Sequence, residues 1–212
     1  MLKHKLMLGA AVLLTVVSVA GSANANVATG SIWENDSTGA GDATPANVPG
    51  TTPDVTFSVP TPINFTSGNL YTIGEFLSSG GATVHTGAGE LGNTLDNTIF
   101  NFTGNVSVTN GQTFTVGHDD GLTLVIGGLT VINEPFPTSF VVTTETYTGP
   151  TGTLPFQLVY GECCGAPADL SISLPLNGAT PEPSTWVMMV LGFAGLGFAG
   201  YRTSRKAVSV AA

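Results

Sequence analysis

Between Asn26 and Ser184 the chain has no lysine and no arginine, yet all 14 of its aspartates and glutamates lie there. The 5 basic residues sit at the two ends, and the net charge is -9. A domain cut from this stretch has no ordinary salt bridge. Its carboxylates are neutralised only by protons, His85, His118, the amino terminus or bound cations. Such a surface repels nucleic acid and anionic lipid, and it favours divalent cations. Cysteine is almost as scarce: Cys163 and Cys164 are the only two, and they are adjacent. No other cysteine or histidine stands at ligand spacing, which excludes a structural zinc cluster, and no CxxC redox pair exists. A vicinal disulfide, pairing with another chain and free thiols remain open, and the disulfide is the expectation. There is no GxSxG elbow for acyl transfer, no repeat of 20–50 residues, and no 3.6-residue apolar stripe outside the ends.

The ends carry what the middle lacks. Lys3 and Lys5 precede an apolar run from Leu6 to Ala20, and Ala23-Asn24-Ala25 follows. A basic start, a short apolar run and small residues at alternate positions form a secretion signal. Ala23 and Ala25 fit the shallow pockets of a signal peptidase, and the expected mature start is Asn26. At the other end Pro181-Glu182-Pro183-Ser184 leads into an apolar stretch from Trp186 to Tyr201, then Arg202, Arg205 and Lys206. That stretch is at the lower edge of membrane-spanning length. The basic cluster holds the C-terminus in the cytoplasm and leaves the rest outside. Gly195, Gly197 and Gly200 spell GxGxxG, but no strand precedes them and no acidic residue follows. The dinucleotide motif needs both. Glycines in membrane helices serve close packing instead.

This order of parts closely resembles the PEP-CTERM sorting signal of Gram-negative bacteria, also labelled an ice-binding protein C-terminal domain, a label that transfers no ice binding. The resemblance implies an inner-membrane precursor, recognition by an exosortase, and cleavage near Pro181-Glu182-Pro183. It further implies release to the cell surface or extracellular matrix, where such proteins accompany exopolysaccharide and biofilm.

Between the ends, short alternating apolar runs are separated by turn residues. Strands are expected at Asp54–Val59, Asn69–Ile73, Ala82–Thr86, Thr98–Phe102, Val106–Val108, Gln112–Val116, Thr123–Ile126, Thr130–Ile132, Ser139–Thr148, Leu154–Tyr160 and Asp169–Leu174. Asn110-Gly111 reads as a type I′ hairpin turn and Gly127-Gly128 as another tight turn. Many short strands at even spacing predict an all-β antiparallel sandwich or barrel. The expected division is a signal over 1–25, an irregular segment with at most an edge strand over 26–53, and a sandwich over 54–175. A linker with the Pro-Glu-Pro motif over 176–184, a transmembrane helix over 185–201 and a basic tail over 202–212 complete it.

The run Thr98 to Leu174 holds a strand, then His118-Asp119-Asp120-Gly121, a strand ending at Gly127-Gly128, a late strand Leu154–Tyr160, then Glu162, a Gly/Ala-rich loop and a last strand. In that order and spacing it resembles the PA14 domain, a β-sandwich of adhesins, glycosidases and toxins whose adhesin members bind sugars through calcium. The family's hairpin aspartate is replaced here by Gly127. The resemblance implies that Asp119 and Asp120 hold Ca2+ at a sandwich rim, where calcium takes several oxygen ligands. The alternative is that Asp119 caps the turn by accepting backbone N–H groups. His118 beside Asp119, or Glu162 paired with either aspartate, gives little support to an enzyme. The expected function is therefore non-catalytic: adhesion to, or organisation of, extracellular polysaccharide. A purely structural matrix protein is the second reading, and a carbohydrate-active enzyme the third.

Overall fold

The computed structural model describes residues 27–176, apart from 67, 69 and 70, together with 192–193. The signal peptide, the Pro-Glu-Pro motif, the basic tail and all but two residues of the expected membrane helix lie outside these residues. Among the described residues no helix is long and apolar enough to cross a membrane. Asn24–Thr180 forms one compact unit.

Strong alternation builds the strands. In β2 (Val55–Pro60) Val55, Phe57 and Val59 are buried while the intervening residues are not. In β3 (Ile63–Thr66) Ile63 and Phe65 are buried, and Asn64 and Thr66 exposed. The longest strands, β5 (Thr98–Val108) and β10 (Gly152–Glu162), pair antiparallel over their whole length, from Thr98↔Glu162 to Val108↔Gly152. Around them lie β1 (Val27–Trp33), β4 (Thr83–Thr86), β7 (Leu122–Ile126) and β8 (Leu129–Glu134). They form a seven-stranded sheet in the order β4-β2-β1-β5-β10-β7-β8. A four-stranded sheet runs β3-β11-β6-β9, with β6 Thr113–Asp119, β9 Val141–Thr146 and β11 Asp169–Ile172. All pairs are antiparallel, as expected for a sandwich.

The two sheets share one aromatic core. Phe65 of the small sheet lies 6.3 Å from Phe57 and 5.9 Å from Phe102 of the large one, ring centre to ring centre. Phe76, from helix α2 (Ile73–Ser79), stacks on Phe65 at 4.8 Å and reaches Tyr160 at 6.1 Å. Truncating such a fully buried ring to alanine costs about 3–5 kcal/mol.

Three expectations need correction. The segment 26–53 is not an irregular arm with an edge strand. Its β1 lies inside the large sheet between β2 and β5. The rest, with helix α1 (Ser37–Gly41), covers the outer face, where Ala43 joins Trp33, Ile99 and Val159 in a second small cluster. Gly, Thr and Ser give β1 a weak apolar signature, and its neighbours supply the burial. The described part of the expected strand Asn69–Ile73, residues 71–73, is not a strand: Thr72 caps helix α2 and Ile73 opens it. The local signal was a capping box, in which Thr72 accepts from the Glu75 N–H and Glu75 reaches back to the Thr72 N–H, a pairing that fixes helix starts. Finally, Asn110-Gly111 closes no hairpin, because β5 and β6 belong to different sheets. Asn110 Nδ2 instead donates to the carbonyls of Thr148 and Gly149, making a corner. The β7–β8 connection is the tight hairpin, with Gly127 and Gly128 at φ 59° and 83°, values that a type I′ turn requires.

Candidate functional site at the Asp119–Asp120 crossover

Asp119 ends β6 in the small sheet, and three residues later Leu122 begins β7 in the large one. The aspartate pair thus occupies the point where the chain crosses between sheets, at the rim of the sandwich. Its peptide bond is cis. Gly121 is required at this crossing, because a side chain there would strike the Pro135 carbonyl. His118 fills the inner side. It is fully buried, with Nδ1 2.7 Å from the Asp120 carbonyl and Nε2 3.0 Å from Thr143 Oγ1. A carbonyl only accepts, so Nδ1 carries a proton, and Nε2 pairs with the threonine hydroxyl. Both ring nitrogens are engaged, and His118 braces the crossover.

The two carboxylates are 7% and 6% exposed by residue. Asp120 ties two loops together: Oδ1 accepts from the Thr138 N–H at 3.1 Å and Oδ2 from the Cys163 N–H at 3.0 Å. Asp119 accepts from the Phe140 N–H. It is Asp120 as much as Asp119, therefore, that organises the turns. Oxygens with two lone pairs retain accepting capacity beyond these bonds.

More acid surrounds the pair than the sequence indicated. Asp169 of β11 stands directly opposite Asp119 across the β6–β11 ladder, a placement in which like charges repel. Burial, Asp120 and Asp169 raise the Asp119 carboxyl above its usual range, and burial raises Asp169. Below the pair, the Tyr160 hydroxyl reaches both the Asp119 carbonyl and Glu162 Oε2, the latter at 2.9 Å. A phenol has one hydrogen. With Tyr160 donating to the carbonyl, the second contact is satisfied when Glu162 is protonated and donates to the phenol oxygen. Burial first, then Asp120, Asp119 and Asp96, push Glu162 to about 9. Glu162 is 1% exposed, too enclosed to work on a glycosidic bond. Asp96 Oδ1 is buried without a hydrogen-bond partner, 3.8 Å from where a Gly165 side chain would begin.

Cys163 and Cys164 are joined to each other, beside Asp120. Their sulfurs and an Asp120 carboxylate oxygen lie within 4.8 Å, the one cluster of three candidate metal-ligand atoms among the described residues. Bonded sulfurs are poor ligands for a hard cation, so the donor set that matters is oxygen. Adjacent carboxylates in a stretch with no lysine or arginine, with Asp169 opposite Asp119, fit a calcium ion in donor chemistry. Asp169 escaped sequence reading because only the strand order brings it to Asp119, and Asp96 because only the loop path brings it to act on Glu162.

The C-terminal residues 179–206 match the PEP-CTERM protein-sorting motif. No curated protein matches the chain. Among solved structures, the fold is similar to a PA14 sugar-binding domain from an RTX adhesin, with TM-score 0.54 and 22% identity over 73% of this chain and 96% of that one. It is also similar to the PA14 domain of the antifreeze protein MpAFP, with TM-score 0.52 and 19% identity over 80% of this chain and 90% of that one. At these identities the likeness is one of fold. The chain is therefore a PA14-like β-sandwich followed by a PEP-CTERM sorting motif, the mark of an exported precursor sorted to the surface.

Proposed function

We propose that this exported protein is a non-catalytic carbohydrate-binding module, cleaved by an exosortase near Pro181-Glu182-Pro183 and displayed on extracellular polysaccharide. One observation carries the reading. Asp119 and Asp120 lie together at the inter-sheet rim, nearly buried, in a domain without a basic side chain of lysine or arginine. Calcium would be held by their carboxylates and would offer open coordination positions to sugar hydroxyls. The sugar-binding PA14 domain of the RTX adhesin supports this by fold. Binding of a glycan array, with calcium and with chelator, tests it: calcium-dependent retention of one glycan class is expected, and silence across the array with calcium present defeats it.

A second reading rests on Asp120, whose two oxygens accept N–H groups from two loops. That role alone makes the protein a structural matrix component without a specific ligand. It predicts unfolding that is indifferent to calcium.

A further inference from the structure

The outer face of the four-stranded sheet is where the rim acids meet an aromatic ring. Along β6, Phe114, Val116 and His118 point into the core, so Thr115, Gly117 and Asp119 face outward. Phe140 immediately precedes β9, the edge strand next to β6. Its N–H donates to the Asp119 carboxylate, and its ring lies over Gly117, about where a side chain at that position would sit. A Cβ at Gly117 would crowd both the ring, at 3.1 Å, and Ser171 Oγ, at 2.7 Å, so the glycine leaves room for the ring to lie close to the sheet. The ring is nonetheless 54% exposed. Across β6, Asp169 pairs with Asp119 and Ser171 with Gly117. Asn64 of β3 continues the second row, opposite Ser171.

A lone exposed apolar residue needs no explanation. Phe140 differs because both its backbone and its ring are held, and a pre-set ring loses little freedom when a ligand covers it. The surface is apolar at one edge, accepting at Asp119 and Asp169, and mixed donor and acceptor at Ser171 and Asn64. That sequence of groups matches a pyranose ring lying flat. Its axial C–H groups meet the aromatic face, and its equatorial hydroxyls turn toward the calcium proposed at Asp119 and toward the Asp169 carboxylate. A stretch from Asn26 to Ser184 that carries all 14 aspartates and glutamates and no lysine or arginine disfavours uronates and sulfated sugars.

We infer that Phe140 is the stacking platform of a saccharide site on this face, and that the ligand is a neutral pyranose with an uninterrupted C–H face. The inference rests on the carbohydrate-binding reading above and adds to it a recognition residue and a sugar class. The probes are methyl β-D-glucopyranoside, methyl β-D-galactopyranoside and methyl β-D-glucuronide, each titrated into the full chain in millimolar calcium. Saturation-transfer NMR reports which sugar protons touch the protein. The expected result is binding of one or both neutral glycosides, with transfer strongest to axial ring protons, and at least tenfold weaker binding of the glucuronide. Phe140→Ala should weaken the neutral glycoside at least tenfold, Phe140→Trp should restore it, and neither should alter calcium affinity or the unfolding midpoint by much. If Phe140→Ala binds the neutral glycoside as the native protein does, or the glucuronide binds best, the platform is wrong while the carbohydrate-binding reading stands. If the native protein binds none of the three, this site is overturned, and the glycan array decides the broader reading independently.

Discussion

The Cys163 N–H donates to Asp120 Oδ2 at 3.0 Å, so the residue that opens the vicinal disulfide also holds one of the rim carboxylates. The loop from Cys163 to Ala168 and the crossover at Asp120 are therefore one mechanical unit. Exported protein should show no thiol reactive to labelling without reductant, because each cysteine occupies the other. Reduction by a dithiol should expose two thiols and weaken any calcium response at Asp120, with little change in sheet content by circular dichroism. Two labelled thiols in the unreduced exported protein, or a covalent dimer, would contradict this.

A second expectation concerns pH. Glu162 is raised from 4.5 to about 9, chiefly by burial, and Asp119 and Asp169 are raised from 3.8. Groups whose carboxyl range rises on folding take up protons as the chain folds. Their contribution is complete below the unfolded values and is lost as pH rises through the folded ones. In chelator, the thermal midpoint should therefore fall between about pH 4.5 and pH 9. Glu162→Gln, which keeps a donor for the Tyr160 oxygen, should flatten the upper part of that slope. A native midpoint that rises over this window would refute the protonated-glutamic-acid account.

The N-terminal strand supplies a third. β1 lies between β2 and β5, and Trp33 closes the outer cluster with Ile99 and Val159. A fragment beginning at Asp54 should lack cooperative unfolding, and Trp33→Ala should cost about 3–5 kcal/mol in denaturant unfolding. A cooperative transition in the shorter fragment would show that the sandwich does not depend on this strand.

What the sequence disclosed follows from what each signal depends on. The sandwich class was legible because strands such as β2 and β10 alternate or run apolar by themselves, whatever they pair with. The Asp119-Asp120 rim was legible because two acids adjoin in a strand-rich run. β1 was not, because Gly30, Ser31 and Thr29 gain their place from neighbouring strands. Asn110-Gly111 misled, since the turn residues of a hairpin also suit a corner between sheets. Asp169 and the ring of Phe140 join the site only through strand order and loop path, which no local pattern carries.

Processing can be checked separately. The Ala23-x-Ala25 site and the 179–206 motif predict a mature form without either end. Intact mass of protein isolated from the cell surface should correspond to a start at Asn26 and an end near Pro183. Retention of Arg202 to Ala212 in that form would contradict exosortase cleavage.

Asp119 and Asp120 are proposed to hold a calcium ion on which recognition depends. The most direct test is the thermal midpoint of the exported protein with and without calcium, for the native sequence and for Asp119→Asn/Asp120→Asn. An ion that binds only the folded state stabilises it by about 2.7 kcal/mol at a hundredfold excess over its dissociation constant. The native midpoint should rise by several degrees in millimolar calcium and return in chelator, while the double variant should not respond. A native midpoint unmoved by calcium, or an equal rise in the double variant, would mean that the two aspartates serve the fold alone.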